Sequence, residues 1–209
     1  AMMDHPNIAK ILNGGLTEDG RPYFAMELVQ GVPLTRFCDQ QRSSLDQRLQ
    51  LFCDICDAVQ HAHHKGIIHR DLKPSNVLVT MRDDVPTVKV IDFGVAKALH
   101  TRLTEHSIYT SFGQLVGTPL YMSPEQIQLN EFDVDTRSDV YSLGVILYEL
   151  ITQSLPFSRQ ALKEQGLDSF RKLVCDSDPP KPSQRLSSGH DQAQLVDGRG
   201  APEPPQTSI

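Results

Sequence analysis

Three short segments of the chain carry polar side chains of the kinds that do chemistry. They are His69–Asn76 (HRDLKPSN), Asp92–Gly94 (DFG) and Gly117–Glu125 (GTPLYMSPE). The carboxylate of Asp92 and the amide carbonyl of Asn76 are hard oxygen atoms of the kind that Mg²⁺ prefers. A carboxylate can also accept a proton, and a lysine nearby can stabilise negative charge. These residue types suit a site that handles protons and charged groups.

The order and spacing of the segments are more specific than any one of them. Asp92 follows Asp71 by 21 residues, and Glu125 follows Asp92 by 33. Each motif could occur alone by chance, but all three in this order form a specific set. On these motifs, the chain closely resembles the large C-terminal lobe of the eukaryotic-type protein kinases, over roughly residues 5 to 157.

Further residues refine the resemblance. Lys73 and Gly117-Thr118-Pro119 resemble the serine/threonine branch, while Tyr121–Gln126 and Asp139–Gly144 are similar to bacterial members. The resemblance implies an α+β, mainly helical fold, with a kinase-like C-lobe and a residual hairpin from the N-lobe. It also implies transfer of the ATP γ-phosphate to Ser/Thr hydroxyls of protein substrates, with ATP and Mg²⁺ as cofactors.

The resemblance assigns the chemical roles residue by residue. Asp71 would be the catalytic base, and Lys73 would place positive charge beside the transferred phosphate. Asn76 and Asp92 would hold Mg²⁺ between the phosphates. Thr118 would hydrogen-bond to Asp71 and Lys73 in the family arrangement.

The same resemblance places the adenine of ATP. Met26 would be the gatekeeper at the end of the hairpin, and the backbone groups of Glu27 and Val29 would pair with the edge of the base. Leu34 and Leu78 would sandwich its face.

Structural roles follow from the resemblance as well. His69 and Phe93 would form the floor of the cleft together with Ile11. Asp139, an acid at the start of a buried helix, would brace the catalytic loop by accepting hydrogen bonds from its backbone N–H groups. We expect Glu125 to lack its family partner, an arginine that is not recognisable after Leu173. The structural positions are His69, Phe93, Gly94, Glu125 and Asp139.

Regulation is implied by Arg70, because an arginine beside the catalytic aspartate can pair with a phosphate on the long loop that follows. Several hydroxyls of that loop are candidates for phosphorylation. Thr110 is favoured, with Ser111 beside it. The candidates are Thr104, Ser107, Tyr109, Thr110 and Ser111.

The family's small lobe is missing from this sequence, which has no glycine-rich phosphate loop and no strand lysine. We therefore expect a fragment of a longer kinase, with little activity alone. The alternative is a truncated kinase-like module that docks partners or regulates a kinase without catalysis. The intact Asp71 and Asp92 favour the enzyme. A third hypothesis, a small-molecule kinase of similar fold, has less support, because Lys73 and the Gly-Thr-Pro segment indicate protein substrates.

The elements that must position these residues can be read from the sequence pattern. Ile8–Leu16 and Tyr23–Val29 flank an Asp-Gly turn and predict an antiparallel hairpin. A short helix is expected over Leu34–Gln40, and a long amphipathic helix over Leu45–His64. Ser44 and Gln47 form a capping-box pattern at the start of the long helix, and Gly66 is its expected stop.

The apolar stripe of the long helix is expected to contain Leu45, Leu49, Phe52, Cys56, Val59 and Ala62. Short strands are predicted at Ile67-Ile68, Val77–Val79 and Val88–Ile91, with a solvated turn at Asp83-Asp84. Asp139–Thr152 is apolar nearly all round, so it predicts a buried central helix that Pro156 ends and in which Gly144 allows close packing. A further helix is expected near Phe170–Val174.

We divide the chain into residues 1–30 (hairpin and hinge), 31–175 (C-lobe) and 176–209, a Pro-rich tail expected to be disordered.

The formal net charge of −6 argues against nucleic-acid binding. The most apolar stretch, Val140–Ile151, is far shorter than the ~20 residues of a membrane span. Four scattered cysteines favour a reducing compartment, the cytoplasm.

A zinc site is the alternative interpretation of Cys53 and Cys56, which precede His61, His63 and His64 on the same helix. One helix cannot easily fold such ligands around a single ion. We therefore favour a structural role, with both cysteines on the buried side and the histidines near the helix end.

Overall fold

The computed structural model describes residues 3–93, 119–128 and 134–187. By its contacts in space, the chain divides into two compact units, residues 1–178 and residues 179–209. In the second unit residues 182–187 are helical, although the composition of this segment predicted disorder. The remainder of that prediction, from residue 188 onward, lies outside the described residues.

The first unit begins with the predicted hairpin. Strands β1 (Ile11–Leu16) and β2 (Pro22–Met26) pair antiparallel, and Gly20 turns the chain between them with a φ of 78°. This confirms the hairpin with strands somewhat shorter than expected. Every residue of β1 is exposed.

A second, three-stranded sheet contains β3 (Val32–Pro33), β4 (Val77–Arg82) and β5 (Val85–Val90) in antiparallel order. Asp83 and Asp84 join β4 to β5 with φ values of 49° and 61°, the left-handed conformation that a tight hairpin turn requires. The strands and turn predicted here are confirmed.

Ile67 and Ile68 form no strand, so that prediction was wrong. The amide of Ile67 donates to the carbonyl of Ala62 at 3.0 Å, and this bond closes the end of the preceding helix.

Helices α1 (Leu34–Gln40) and α2 (Leu45–His64) have the predicted bounds. The capping box at the start of α2 is formed, since the amide of Gln47 donates to Ser44 Oγ at 3.3 Å and the amide of Ser44 donates to Gln47 Oε1 at 2.8 Å. Gly66 follows the helix with a φ of 72°, as a C-terminal glycine does.

The buried face of α2 differs from the predicted stripe. Leu45 is 51% exposed, and Leu49, Phe52 and Cys56 are half-buried. The residues that face the core are Arg48, Leu51, Ile55, Ala58, Val59 and Ala62. Burial of Arg48 reflects hydrogen bonds from its guanidinium to the carbonyls of Ser43 and Leu150, which a hydropathy pattern does not detect.

The other α-helices among the described residues of this unit are α3 (Pro124–Ile127), α4 (Thr136–Thr152) and α5 (Arg159–Asp176), the last kinked at Gly166. Single 3-10 turns span Pro74–Asn76 and Pro119–Tyr121. The predicted helix at Phe170–Val174 is confirmed within α5. Helix α4 ends at Thr152, before Pro156, because Gln153 adopts a left-handed φ of 56°.

Helix α4 is less enclosed than its composition predicted. Val140 is 60% exposed, and a Cβ added at Gly144 would meet no atom within 4 Å. The close-packing role predicted for Gly144 was therefore wrong among the described residues. The opposite side of α4 joins α1, α2, β4 and β5 in one hydrophobic core.

None of the helices within residues 3–93, 119–128 and 134–187 has both the length and the apolar character needed to cross a bilayer.

Candidate active site

Asp71, Lys73 and Asn76 lie together between α2 and β4. Lys73 Nζ is 2.9 Å from Asp71 Oδ2. Asn76 Nδ2 donates to the backbone carbonyl of Asp71 at 2.9 Å and to its Oδ2 at 3.2 Å. These contacts orient the Asp71 carboxylate, whose side chain keeps 27% of its surface exposed. Because the Asn76 amide nitrogen is engaged twice, its Oδ1 is left to accept or coordinate.

The carboxylate of Asp139 binds the backbone of the two residues that precede Asp71. Its carboxylate is 1% exposed and accepts the backbone amides of His69 and Arg70, each at 2.8 Å. His63 Nε2 donates to the same carboxylate at 2.7 Å. A buried carboxylate with three donors is well satisfied, and here it fixes the backbone that leads into Asp71.

His63 was missed as a site residue by sequence reasoning, which placed it only near the helix end. Its partner lies 76 residues further along the chain, so local spacing carries no signal for the contact.

His69 connects residues 69–76, the proposed catalytic segment (below, the catalytic segment), to the end of β5. Its Nε2 donates to the carbonyl of Ile91 at 3.0 Å, and its Nδ1 accepts the amide of Asp71 at 3.3 Å. Burial lowers the pKa of His69, against an upward influence from Asp139, so the ring is the neutral form that this bonding pattern needs. The ring lies 4.7 Å from that of Phe93, centroid to centroid.

Two residues of the site have left-handed backbone conformations without being glycine. Arg70 has a φ of 66° and Asp92 a φ of 58°. Such conformations cost about 1–3 kcal/mol each and concentrate at functional sites. The Asp92 residue is exposed, and its carboxylate is given no hydrogen bond by the described residues.

Gln126, at the start of α3, is a second contact that sequence reasoning missed. Its Nε2 donates to the carbonyl of Arg70 at 2.7 Å, while its Oε1 accepts the amide and hydroxyl of Ser123. The helix that follows the third motif is thereby joined to the catalytic segment.

The proposed hinge follows β2. The amide of Glu27 donates to the carbonyl of Lys10 at 2.9 Å. Within the described part of the chain, the carbonyl of Glu27 and the amide of Val29 take part in no hydrogen bond, so both are available to a ligand. Met26 shares a small hollow with Asp92. The hollow is lined by Met3, Ala9, Ile11, Phe24, Met26, Asp92 and Phe93.

Of the two leucines predicted to contact the face of the adenine, only one is accessible. Leu78 is half-buried on β4, but Leu34 is 0% exposed in the core. The contact predicted between Leu34 and the base is therefore not available, because this side chain is sealed beneath the sheet.

Glu125 has a partner that sequence reasoning did not anticipate. The hydroxyl of Ser138, at the start of α4, donates to its Oε1. Partial burial pushes the pKa of Glu125 upward, but the hydrogen bonds it accepts, from Ser138 foremost, hold the pKa below its ordinary value.

Some predicted site residues lie outside the described residues. They are Gly94, Thr104, Ser107, Tyr109, Thr110, Ser111 and Thr118.

In the region of α2 considered for zinc, the favoured interpretation is confirmed for the histidines, which lie in the last turn, and is wrong for the cysteines. Cys53 is exposed and Cys56 is half-buried, so the two cysteines do not share the buried side. In the parts of the chain that the structure describes, no group of three or more His, Cys, Asp or Glu side chains is arranged to hold a metal ion.

Comparison with known proteins gives consistent matches. The model of the protein kinase domain family matches residues 1–196. Serine/threonine-protein kinase Pkn1 of Myxococcus xanthus is 41% identical over 165 residues, which are 78% of this chain and 23% of that protein. PknB of Mycobacterium leprae is 35% identical over 189 residues, 88% of this chain and 28% of that protein. The chain thus spans about a quarter of the length of these relatives.

Solved structures support the fold. A double mutant of the PknI kinase domain of Mycobacterium tuberculosis superposes with a TM-score of 0.60 at 24% identity, covering 88% of this chain and 59% of that one.

Proposed function

The chain belongs to the protein kinase domain family, and from this premise we propose that it is the catalytic-loop portion of a serine/threonine protein kinase. The reaction is transfer of the ATP γ-phosphate to a Ser or Thr hydroxyl of a protein substrate. The observation that carries the proposal is the cluster of Asp71, Lys73 and Asn76, held on the buried carboxylate of Asp139.

Asp71 is the group that orients and accepts the proton of the substrate hydroxyl. Its carboxylate is aimed by Lys73 and Asn76 and stays partly exposed. Lys73 also supplies positive charge where the transferred phosphate develops negative charge. Thr118 is proposed to complete this group.

The donor set fits a magnesium ion. Among the described residues the amide oxygen of Asn76 accepts no hydrogen bond, while its nitrogen is bonded to Asp71, and Asp92 presents an exposed carboxylate. Hard oxygen ligands of this kind suit Mg²⁺. When bound, the ion would neutralise the charge of the ATP phosphates. The protein's own contribution is to fix these two oxygens beside Asp71.

Recognition of adenine is proposed for the hinge. The free carbonyl of Glu27 and the free amide of Val29 supply one acceptor and one donor, which match the edge of an adenine base. Met26 and Leu78 are proposed to contact the base.

Four free cysteines support a reducing compartment such as the cytoplasm.

Regulation is proposed to act through Arg70, whose conformation is held by the bond from Gln126 to its carbonyl. A phosphate on Thr110 or Ser111 is the proposed partner of its guanidinium. This would connect the phosphorylation state of the long loop to the position of Asp71, the next residue.

The hairpin supports the proposal that a longer protein supplies an N-lobe. All six residues of β1 are exposed, and a sheet of two strands is only marginally stable by itself. Further strands would cover this surface and add the missing phosphate clamp. We therefore propose that the 209-residue chain has little activity alone.

Equilibrium binding of Mg-ATP to the purified chain tests the nucleotide site. We expect weak binding that depends on Mg²⁺ and is reduced at least tenfold by Asp92→Asn. Asp46→Asn, an exposed change in the first turn of α2, is the matched control and should bind as the parent does. Equal affinity of the parent and Asp92→Asn contradicts the proposed metal site. Rapid phosphate transfer by this chain would instead contradict the proposed low activity.

A further inference from the structure

The side chain of Lys89 contacts the hinge rather than solvent. Lys89 lies on β5, and its Nζ is 2.7 Å from Glu27 Oε1 and 3.3 Å from the carbonyl of Ile8. The lysine side chain is 14% exposed and the glutamate side chain 32%. An ion pair this sheltered from water is stronger than one on an open surface.

The glutamate is held from a second direction as well. Its Oε1 accepts the amide of Lys10 at 3.2 Å, and its own amide donates to the carbonyl of Lys10 at 2.9 Å. The lysine contact lowers the pKa of Glu27, against partial burial, so the carboxylate is charged. Glu27 is thereby fixed at both its backbone amide and its side chain, while its carbonyl accepts no hydrogen bond from the described residues.

Lys89 also belongs to the face of the sheet proposed to contact the nucleotide. It is the direct antiparallel partner of Leu78, and paired residues of antiparallel strands project to the same face. Asp92 follows Lys89 by three residues. Lys89 therefore contacts the hinge, shares a sheet face with part of the proposed adenine surface, and precedes the proposed metal ligand by three residues.

We propose that Lys89 is a positioning residue for base recognition, which sets the hinge carbonyl of Glu27 at a fixed distance from Asp92. The role rests on the proposed function, because it presumes that the hinge binds adenine. Lys89 does not touch the nucleotide in this assignment, since its ammonium group is occupied by Glu27 and Ile8. Removal of the Lys89 side chain leaves the proposed phosphate-binding residues in place and misaligns only the hinge.

The test compares two probes, Mg-ATP and Mg-tripolyphosphate, which differ in whether a nucleoside is attached. In the parent chain, Mg-ATP should bind more tightly than Mg-tripolyphosphate. Lys89→Met should reduce that ratio of affinities about tenfold, the loss expected when one hydrogen bond is misaligned, and should leave tripolyphosphate binding unchanged. Lys10→Met is the matched control, because among the described residues the Lys10 ammonium pairs with Asp4 at the surface and its charge is a smaller influence on Glu27 than that of Lys89, while the backbone contacts of residue 10 are kept.

Glu27→Gln separates positioning from simple loss of structure, because it removes the charge of the pair but keeps an acceptor for the amide of Lys10. It should reduce the affinity ratio in the same direction as Lys89→Met with little loss of melting temperature, even where Lys89→Met fails to fold. An unchanged ratio in Glu27→Gln overturns the proposal, as does an unchanged ratio in a folded Lys89→Met. If the parent chain itself binds both probes equally, the proposed nucleotide site is wrong, and the role of Lys89 is wrong with it.

Discussion

Replacing Asp139 with asparagine removes one acceptor from the centre of the site without changing its shape. In the parent, one carboxylate oxygen accepts the amide of Arg70, and the other accepts the amide of His69 and the ring of His63. Asparagine has only one acceptor oxygen, so in either orientation its NH₂ faces at least one backbone N–H. A hydrogen bond to a charged group contributes about 1.5–3 kcal/mol, and a buried donor left unpaired adds a desolvation cost.

We therefore expect Asp139→Asn to reduce the free energy of unfolding by about 3 kcal/mol, a large part of the roughly 5–15 kcal/mol of a typical domain. For a unit of this size, the melting temperature should fall by about 6–12 °C. Urea denaturation followed by circular dichroism measures the change, with Asp46→Asn as an exposed control expected to lose less than about 1 kcal/mol. A loss below about 1 kcal/mol for Asp139→Asn would refute the view that this carboxylate holds the catalytic segment.

Two further predictions concern protonation and packing. Because burial lowers the pKa of His69 below its ordinary value of 6.5, the unfolded chain binds the proton more readily, so the free energy of unfolding should fall as the pH is lowered through 6.5. His69→Gln should flatten that slope in pH-dependent denaturation, and an unchanged slope would show that other groups cause it. Gly31→Ala places a Cβ 3.0 Å from Leu78 Cβ and from the carbonyl of Val79, and should destabilise the fold by about 1–3 kcal/mol. Gly144→Ala meets no atom of the described residues outside its own helix within 4 Å and should stabilise α4 by about 0.5–1 kcal/mol. Changes of the same sign in urea titrations of the two variants would contradict the packing described.

The sequence predicted the bounds of α2 well and its orientation poorly, for different physical reasons. Helix ends are set by local hydrogen bonds, and Ser44, Gln47 and Gly66 carry that information within a few residues. Orientation depends on what the helix packs against. Apolar residues of α2 occur on more than one side, and burial of Arg48 depends on a carbonyl 102 residues away. No local pattern contains that contact.

The candidate site divides in the same way. The motifs identified Asp71, Lys73 and Asn76, and these three side chains are in contact. The contacts of His63 with Asp139 and of Gln126 with Arg70 join segments 76 and 56 residues apart, and neither was predicted. Leu34 shows the reverse case, because its apolar character fitted a contact with a ligand as well as it fits the core where it lies.

The anchoring of the catalytic segment by Asp139 also has a consequence for synthesis on the ribosome. The amide of Arg70 is made 69 residues before the carboxylate that binds it. At roughly 5–20 residues per second, the segment waits about 3–14 s with no anchor. During that interval Lys73 and Asn76 are available to contact Asp71, but the backbone that leads into it lacks the Asp139 carboxylate. The proposed site is therefore completed late in translation, and a chain released between these two residues contains the proposed catalytic base without this support.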